Sequence, residues 1–189
     1  MDQIITFDKE LFLYLNGLGS TTWDGFWMFI TGKWNAIPFY VFLLFLLYKK
    51  LGLKVTLITL VVVALMIACT AQLANLFKKV LFLRPRPCHD PVLVETMRLV
   101  KSRCGGAYGY FSAHAASSMA LAVFLGKVFQ SYSQKMGVFL LIWALFVGYS
   151  RIFIGVHYPG DVLTGILFGV IVGLLYFNIH RYLLHKFVK

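Results

Sequence analysis

Residues 150–161 read Ser-Arg-Ile-Phe-Ile-Gly-Val-His-Tyr-Pro-Gly-Asp, and long apolar segments lie on both sides of them. Charged side chains cost free energy close to a hydrocarbon layer, so an ionisable cluster in this position indicates a functional site. Pro159 suits the first position of a helix, which predicts that the last membrane span begins there. His157 then lies just ahead of that helix, and Asp161 lies in its first turn.

The composition predicts an integral membrane protein. The chain has 189 residues, of which 60% are hydrophobic and 13% are charged, whereas soluble domains average about a quarter charged residues. At about 20 apolar residues per crossing, there is room for five or six transmembrane helices and little else. We therefore expect an all-α bundle in which residues 1–189 form a single membrane-embedded domain.

The apolar runs give the expected order of the helices. Residues 7–18 have apolar side chains at helical spacing, which predicts an amphipathic helix at the membrane interface. Residues 23–30 are aromatic but short, and residues 36–48 are too short to span unless the helix starts nearer Trp27. The N-terminal part therefore either spans or lies at the interface. Clearer spans follow at residues 55–82, 112–129, 136–149 and 159–177.

Counting these crossings places the polar segments on one side of the membrane. The loop at residues 83–111 leaves the bundle, and the next two spans cross and return, so residues 150–158 emerge on the same side. The positive-inside rule expects basic residues at a cytoplasmic face. The opposite side would carry Lys49, Lys50, Lys54, Lys127, Lys135, Arg181, Lys186 and Lys189. We therefore expect the site to lie outside the cytoplasm.

The net charge of +11 has two expected sources, which are the cytoplasmic loops and an anion site. A chain this apolar has no soluble surface for a nucleic-acid-binding stripe. The first twenty residues lack the basic start and apolar core of a cleavable signal peptide. Cys88 and Cys104 share the polar loop, where a disulfide is plausible in an oxidising compartment. His89 suggests a metal ligand beside Cys88, but no second ligand pair has zinc spacing.

Two further segments on the expected outer side have the chemistry of a phosphate site. Lys79, Arg84 and Arg86 surround a proline-stiffened turn, and arginine offers a planar fork of donors that matches two phosphate oxygens. Snorkelling at the membrane boundary is the simpler explanation of these cations. Ser112 is a good N-cap, which puts His114 at a helix start suited to anions. There His114 is a candidate general acid, or else a packed or capping residue.

The spacing of His157 and Asp161 suits a nucleophile and its orienting carboxylate. A carboxylate on one ring nitrogen fixes the tautomer and leaves the lone pair of the other free to attack. A capping pair is the alternative, and it is weakened because Asp161 is the one acidic residue of the three segments. The chain has seven Asp and Glu residues, too few near the site for a two-metal phosphatase. We therefore expect no metal and no cofactor.

These segments resemble a known family, the type-2 phosphatidic acid phosphatase superfamily, which includes membrane lipid phosphatases, glucose-6-phosphatase and vanadium haloperoxidases. The resemblance covers roughly residues 50–180. Its second motif departs from the family's usual Pro-Ser-Gly-His. The three motifs are carried by Lys79-x6-Arg86-Pro87, by Phe111-Ser112-Ala113-His114, and by Ser150-Arg151-x5-His157-x3-Asp161.

The resemblance implies a role for each residue. His157 would form a phosphohistidine and Asp161 would orient it, while His114 would protonate the leaving oxygen and later activate water. The phosphate would be held by Lys79, Arg86, Ser112 and Arg151, with Arg84 as an outer cation.

The resulting hypothesis is a metal-independent phosphatase that acts on a membrane lipid through a phosphohistidine. Small bacterial members of the family with little beyond the core resemble undecaprenyl-diphosphate phosphatases, so the resemblance implies that substrate first. It also implies a bacterial inner-membrane protein whose site faces the periplasm. Phosphatidylglycerophosphate, phosphatidate and lipid A 1-phosphate are alternatives. A phosphotransferase would use the same histidine with an alcohol as acceptor, whereas a non-catalytic lipid binder or channel would not need it. The expected partners are the lipid substrate and the bilayer, and no oligomeric state is indicated.

Overall fold

The computed structural model describes residues 2–32 and 34–188, so Lys189 lies outside the described residues. A π-helical turn, Phe77–Leu81, continues the third helix, and a 3₁₀ turn covers Pro87–His89. The described residues form no strand beyond an isolated bridge between Pro85 and Tyr108. The helices are α1 (Asp2–Gly17), α2 (Thr21–Thr31), α3 (Ile37–Leu76), α4 (Ala113–Val128), α5 (Gln134–Phe153) and α6 (Pro159–Phe187).

The protein is an all-α integral membrane protein, as the composition predicts. Three helical stretches are long and apolar enough to cross a membrane: Ile37–Leu81, Gln134–Phe153 and Pro159–Phe187. The apolar helix α4 is shorter, and α2, with 11 residues, is too short to cross at about 20 residues per span. Helix α6 extends to Phe187, past the expected end at residue 177.

Helix α3 is a hairpin of two arms. Gly52 breaks it with φ of 76°, a left-handed conformation that glycine adopts without a steric penalty. Tyr40 and Ala71 line the same cavity, although a straight helix would hold them roughly 46 Å apart. The two arms, α4, α5 and α6 therefore give five apolar segments, within the five to six that were predicted.

Glycines on α6 bring its backbone against α4. A Cβ atom built on Gly165, Gly169 or Gly173 would lie within 2.7 Å of a carbonyl oxygen of α4 or of its N-cap residue. Small residues at this spacing let two membrane helices approach closely. The starts of the two helices meet as a result, and the Ser112 N–H donates to the Asp161 carbonyl at 3.0 Å. The glycines and the facing residues are Gly165 with Ser112, Gly169 with Ala116, and Gly173 with Ala120.

Helix α1 packs a face of mixed polarity against the protein and leaves part of its apolar stripe exposed. It buries Asp8, Phe12 and Asn16, while Phe7 and Tyr14 are exposed. The Asn16 amide donates to two backbone carbonyls at the end of α5, at 2.9 and 3.1 Å. The exposed apolar side chains suit a helix at the membrane interface, and the buried ones attach it to the turn before α6.

Candidate active site

His157 and Asp161 form a buried pair at the junction of α5 and α6. Their exposed fractions are 3% and 0%. His157 Nδ1 lies 3.3 Å from Asp161 Oδ2, and the same oxygen accepts the Tyr158 N–H at 3.1 Å. Pro159 begins α6 and Ser112 caps α4, which confirms both helix starts expected from the sequence. The structure thus brings the predicted nucleophile and its orienting carboxylate together.

Arg86 determines which nitrogen of His157 carries the lone pair. Arg86 Nη1 lies 3.2 Å from His157 Nε2, and a guanidinium donates hydrogen bonds but does not accept them. Nε2 is therefore the acceptor, and the ring proton is on Nδ1, facing Asp161. This tautomer directs the lone pair of Nε2 toward the arginine side of the site.

The surroundings of His157 keep its ring neutral. Burial lowers the pKa of His157 from its usual 6.5 to about 4, because a desolvated ring is costly to protonate. The Asp161 carboxylate acts in the opposite direction, and the charges of Arg151 and Arg86 lower the pKa further. Near neutral pH the ring is uncharged, as a nitrogen nucleophile must be.

Arg86 and Arg151 supply buried donors beside the imidazole. Arg86 Nη1 also donates to the Val156 carbonyl at 3.1 Å, and Arg151 donates to the Thr31 hydroxyl. The Nε atom of each guanidinium is buried with no hydrogen-bond partner among the described residues. Unsatisfied buried donors are costly, and an anion with several oxygens would satisfy them. The arrangement fits a phosphoryl group.

Arg84 lies on the other side of Asp161. Its Nη1 is 3.3 Å from Asp161 Oδ1 and 2.7 Å from Asp8 Oδ2, and its guanidinium stacks 3.9 Å above the Tyr158 ring. The guanidinium therefore binds carboxylates instead of facing the lone pair of His157. This geometry fits the predicted outer cation.

Ser112 and His114 lie at the start of α4. Ser112 is fully buried and its Oγ accepts the Ala115 N–H at 3.4 Å, so its hydroxyl caps the helix. His114 is half-buried and lines a cavity of about 610 Å³ together with Thr31 and Trp143. The rest of the lining is largely apolar and comes from both arms of α3 and from α2, α4 and α5. His114 therefore lies where the polar site meets an apolar space.

Lys79 is a predicted site residue that the structure does not bring to the pair. It lies in the π-helical turn with an exposed side chain, whereas Lys78 beside it is half-buried. Among residues 2–32 and 34–188, no hydrogen bond or ion pair joins Lys79 to His157 or Asp161. Its part in phosphate binding stays a prediction.

The loop at residues 83–110 is closed on itself beside the site. Cys88 and Cys104 form a disulfide with a Cα–Cα distance of 6.0 Å, which answers the question that the sequence left open. The Arg86 N–H donates to the Ala107 carbonyl, and the Gly109 N–H donates to the Arg84 carbonyl, both at 3.0 Å. These contacts hold Arg86 against His157 and Arg84 against Asp161.

Several residues of the site were missed from the sequence. Asp8 binds Arg84, Thr31 binds Arg151, and Tyr158 donates to Asp90 at 3.2 Å. The signal for Asp8 was its four-residue spacing to Phe12 and Asn16, which marks one face of a helix. Thr31 has no comparable signal. No group of three or more His, Cys, Asp or Glu residues able to hold a metal occurs in the described part of the chain.

Comparison with known proteins identifies the family. Residues 57–184 match the model of the PAP2 superfamily, a range that contains all three motifs. The chain belongs to the PAP2 superfamily. The resemblance to type-2 phosphatidic acid phosphatases is thereby confirmed, and the protein is a phosphatase of membrane lipids.

Two relatives are named lipid A 4′-phosphatases. The one from Bacteroides thetaiotaomicron is 36% identical over 92% of this chain and 77% of its own length. The one from Porphyromonas gingivalis is 34% identical over 96% of this chain and 76% of its own length. The undecaprenyl-diphosphatase BcrC of Bacillus subtilis is 41% identical, but over 31% of this chain and 30% of its own length.

Two crystal structures share the fold of this PAP2 protein. LpxE from Aquifex aeolicus has a TM-score of 0.65 and 24% identity, and the match covers 89% of this chain and 93% of that one. A PAP2-type phosphatidylglycerolphosphate phosphatase from Bacillus subtilis has a TM-score of 0.72 and 17% identity, over 96% and 88%. At these identities the likeness supports the membrane fold alone.

Proposed function

We propose that this PAP2 phosphatase hydrolyses a phosphate monoester of lipid A, in the first place the 4′-phosphate, at the outer face of the bacterial inner membrane. The observation that carries the chemistry is the geometry of the His157 ring, which contacts Asp161 at Nδ1 and Arg86 at Nε2. The substrate is proposed from the two relatives that match more than nine-tenths of the chain.

In the first step, the lone pair of His157 Nε2 attacks phosphorus and the bond between phosphorus and the sugar oxygen breaks. His114 gives a proton to that oxygen, so the lipid leaves as an alcohol. The ring becomes a phosphorylated imidazolium, whose charge Asp161 stabilises through the Nδ1–H. Phosphoryl transfer depends mainly on positioning and on stabilising the charge of the equatorial oxygens, which Arg86 and Arg151 supply.

In the second step, His114 takes a proton from water, and the resulting oxygen attacks phosphorus. The P–N bond breaks, its electrons return to Nε2, and inorganic phosphate leaves. Ser112 supports this cycle by holding the first turn of α4, where free N–H groups face anions. Lys79 is proposed as a long-range cation that attracts the phosphate, since its side chain is exposed.

The cavity beside His114 suits the apolar part of such a lipid. Its volume of about 610 Å³ and its lining by α2, α3, α4 and α5 side chains offer an apolar space next to a polar site. A lipid with its phosphate at His157 could leave an acyl chain there, because apolar surface is stabilised by leaving water.

Undecaprenyl diphosphate, the first substrate expected from the sequence, has less support. The relative with that name covers about a third of the chain, whereas the lipid A relatives cover nearly all of it. The alternative of a lipid A phosphatase is therefore preferred, with the 4′-position in place of the 1-position. Undecaprenyl diphosphate stays in the test as a competing substrate.

The test is phosphate release by the purified protein from lipid A, undecaprenyl diphosphate, phosphatidylglycerophosphate and phosphatidate, with a chelator present. Mass spectrometry of the lipid A product distinguishes the positions, because mild acid removes a glycosidic 1-phosphate and leaves a 4′-phosphate. We expect lipid A to be the preferred substrate and its 4′-phosphate to be the group that is removed. Preference for another lipid would contradict the substrate, and loss of activity with the chelator would contradict the metal-free mechanism.

A matched pair of variants tests the histidine. We expect His157→Ala to lower turnover by roughly four orders of magnitude or more, since it removes the nucleophile. His89→Ala removes an exposed histidine of the same outer region and should leave turnover near the wild-type value. A His157→Ala protein with substantial turnover would exclude the phosphohistidine. Phosphoryl transfer to an added alcohol in preference to water would indicate a phosphotransferase.

A further inference from the structure

Asp8 of α1 is buried against the start of α6. Its exposed fraction is 9%, its Oδ1 accepts the Gly160 N–H at 2.8 Å, and its Oδ2 lies 2.7 Å from Arg84 Nη1. A Cβ atom on residue 160 would lie 2.8 Å from Asp8 Oδ2, so the glycine leaves room for this carboxylate. Asp8 is therefore held by a backbone group of the active-site turn and by an arginine.

The same nitrogen of Arg84 also contacts Asp161. Arg84 Nη1 is 3.3 Å from Asp161 Oδ1, a longer contact than the one to Asp8. Asp161 presents its other oxygen, Oδ2, to His157. One guanidinium nitrogen thus lies between two carboxylates, and one of them orients the nucleophile.

This arrangement affects the charge available to His157. When the ring is phosphorylated it becomes cationic, and Asp161 lowers the energy of that state. The charge of Arg84 opposes this effect, because it attracts the same carboxylate and adds a positive charge near the ring. Asp8 offsets Arg84 and takes the shorter of its two contacts.

We infer that Asp8 is a positioning residue of the phosphatase site, which offsets Arg84 so that Asp161 remains available to His157. This inference rests on the proposed histidine mechanism. It extends the active site to α1, a helix outside the matched residues 57–184. Asp8 acts through Arg84 and Asp161 and need not touch the substrate.

A plain structural role is the competing explanation, and the chain contains a matched control for it. Asp24 of α2 pairs with Arg98 through both oxygens at 3.0 Å. This pair also attaches an N-terminal helix to the loop at residues 83–110. The two side chains of that pair make no described contact with Asp161 or His157. Asp24→Asn therefore removes a comparable ion pair and leaves the charge around His157 unchanged.

The experiment compares kcat and KM of Asp8→Asn, Asp8→Glu and Asp24→Asn, with folding checked by thermal unfolding in detergent. Asn keeps an oxygen for the Gly160 N–H and removes the charge. We expect Asp8→Asn to lower kcat about tenfold with KM changed less than about twofold, because the charge acts on the phosphorylated state more than on binding. Asp8→Glu should recover most of the loss, and Asp24→Asn should match the wild type in both constants.

A double-mutant cycle with Arg84→Gln separates the two explanations. If Asp8 acts by offsetting Arg84, Asp8→Asn should have little further effect on kcat once Arg84 is neutral. The inference would be overturned if Asp8→Asn lowered kcat equally in the wild-type and Arg84→Gln proteins. It would also be overturned if Asp8→Asn, like Asp24→Asn, left kcat at the wild-type value.

A second comparison applies if the Asp8→Asn variant does not fold. If Asp8→Asn does not fold, the double variant must retain the kcat of Arg84→Gln, and a further tenfold loss would overturn the inference. Failure of the proposed function would be distinct, because His157→Ala would then keep its turnover whatever the result at Asp8.

Discussion

The protonation state of one ring controls the chemistry at the residue scale. In the proposed mechanism His157 has to be neutral to attack phosphorus, and its buried position beside two arginines favours the neutral ring without a general base. The role proposed for Asp161 is then narrower: it accepts the Nδ1–H of the ring and would stabilise the positive charge that develops when a P–N bond forms. A less buried histidine would be partly protonated at neutral pH, and a site without Asp161 would lose one of the two contacts that hold the tautomer.

The pH dependence of kcat/KM checks this argument, because kcat/KM reports ionisations of the free enzyme. The pKa of His157 is lowered to about 4, so the neutral form persists well below the usual 6.5 and is lost as the pH falls through the lowered value. We expect no loss from His157 until below about pH 5. A phosphate monoester itself titrates at about 6, so profiles for two lipid phosphates of different acidity are needed. A decrease in kcat/KM as the pH falls through about 6.5, the same for both substrates, would contradict the prediction.

Among single residues, the sequence predicted His157, Asp161 and the residues around them, but not all of the residues that hold these side chains in place. The four-residue spacing of His157 and Asp161 and the crossing count were enough to bring Arg84, Arg86 and Ser112 to the pair. Asp8 was not predicted as part of the site, because a contact between α1 and the start of α6 depends on tertiary packing. Lys79 matched the motif by spacing alone, and the π-helical turn leaves its side chain exposed.

At the scale of helices, close contact between α4 and α6 aligns the two helix starts that make the site. Ser112 lies one residue before α4, and Asp161 lies in the first turn of α6. Sliding one helix along the other would separate them. Between membrane helices, tight packing replaces the hydrophobic effect as the source of association, and the glycines of α6 make that packing possible.

Gly169→Ala tests this contact. Its Cβ would lie 2.6 Å from the Ala116 carbonyl oxygen and 2.8 Å from Met119 Cβ, so the helices have to separate, at a cost of about 1–3 kcal/mol. We expect a lower unfolding temperature in detergent and a lower kcat. Gly25→Ala is the control, because nothing lies within 4 Å of its Cβ and alanine favours helix by up to about 1 kcal/mol. Equal stability of the two variants would show that the contact is looser than described.

The sequence predicted which segments are helical better than which faces they bury. Apolar length and flanking charge identified the later spans, since a bilayer sets the length of a helix. The apolar stripe of α1 could not reveal its orientation, because lipid and protein interior are both apolar and the stripe can face either. A loop between the runs at residues 36–48 and 55–82 was expected from its lysines, but Gly52 was not predicted as the turn, since one glycine between apolar runs does not specify a left-handed conformation.

For the whole molecule, the distribution of polar groups predicts the side of the membrane from which the substrate arrives. The disulfide, Arg84, Arg86, His157 and α1 lie together at one end of the bundle. Tyr132, in the turn between α4 and α5, donates to the Lys50 carbonyl at 3.4 Å, so the Gly52 turn and that turn share the other end. Basic residues near this other end favour a cytoplasmic location, and the disulfide favours an oxidising compartment for the site.

Thiol labelling of intact cells tests this orientation. With Cys69 replaced by serine and the Cys88–Cys104 disulfide intact, Lys101→Cys places a thiol in the site loop, and Lys135→Cys places one at the start of α5. Both lysines are exposed, so the two thiols differ in their side of the membrane. An impermeant maleimide should label Lys101→Cys directly and Lys135→Cys after permeabilisation. The reverse pattern would place the arginines and His157 in the cytoplasm, where a lipid phosphate of the outer leaflet could not reach them.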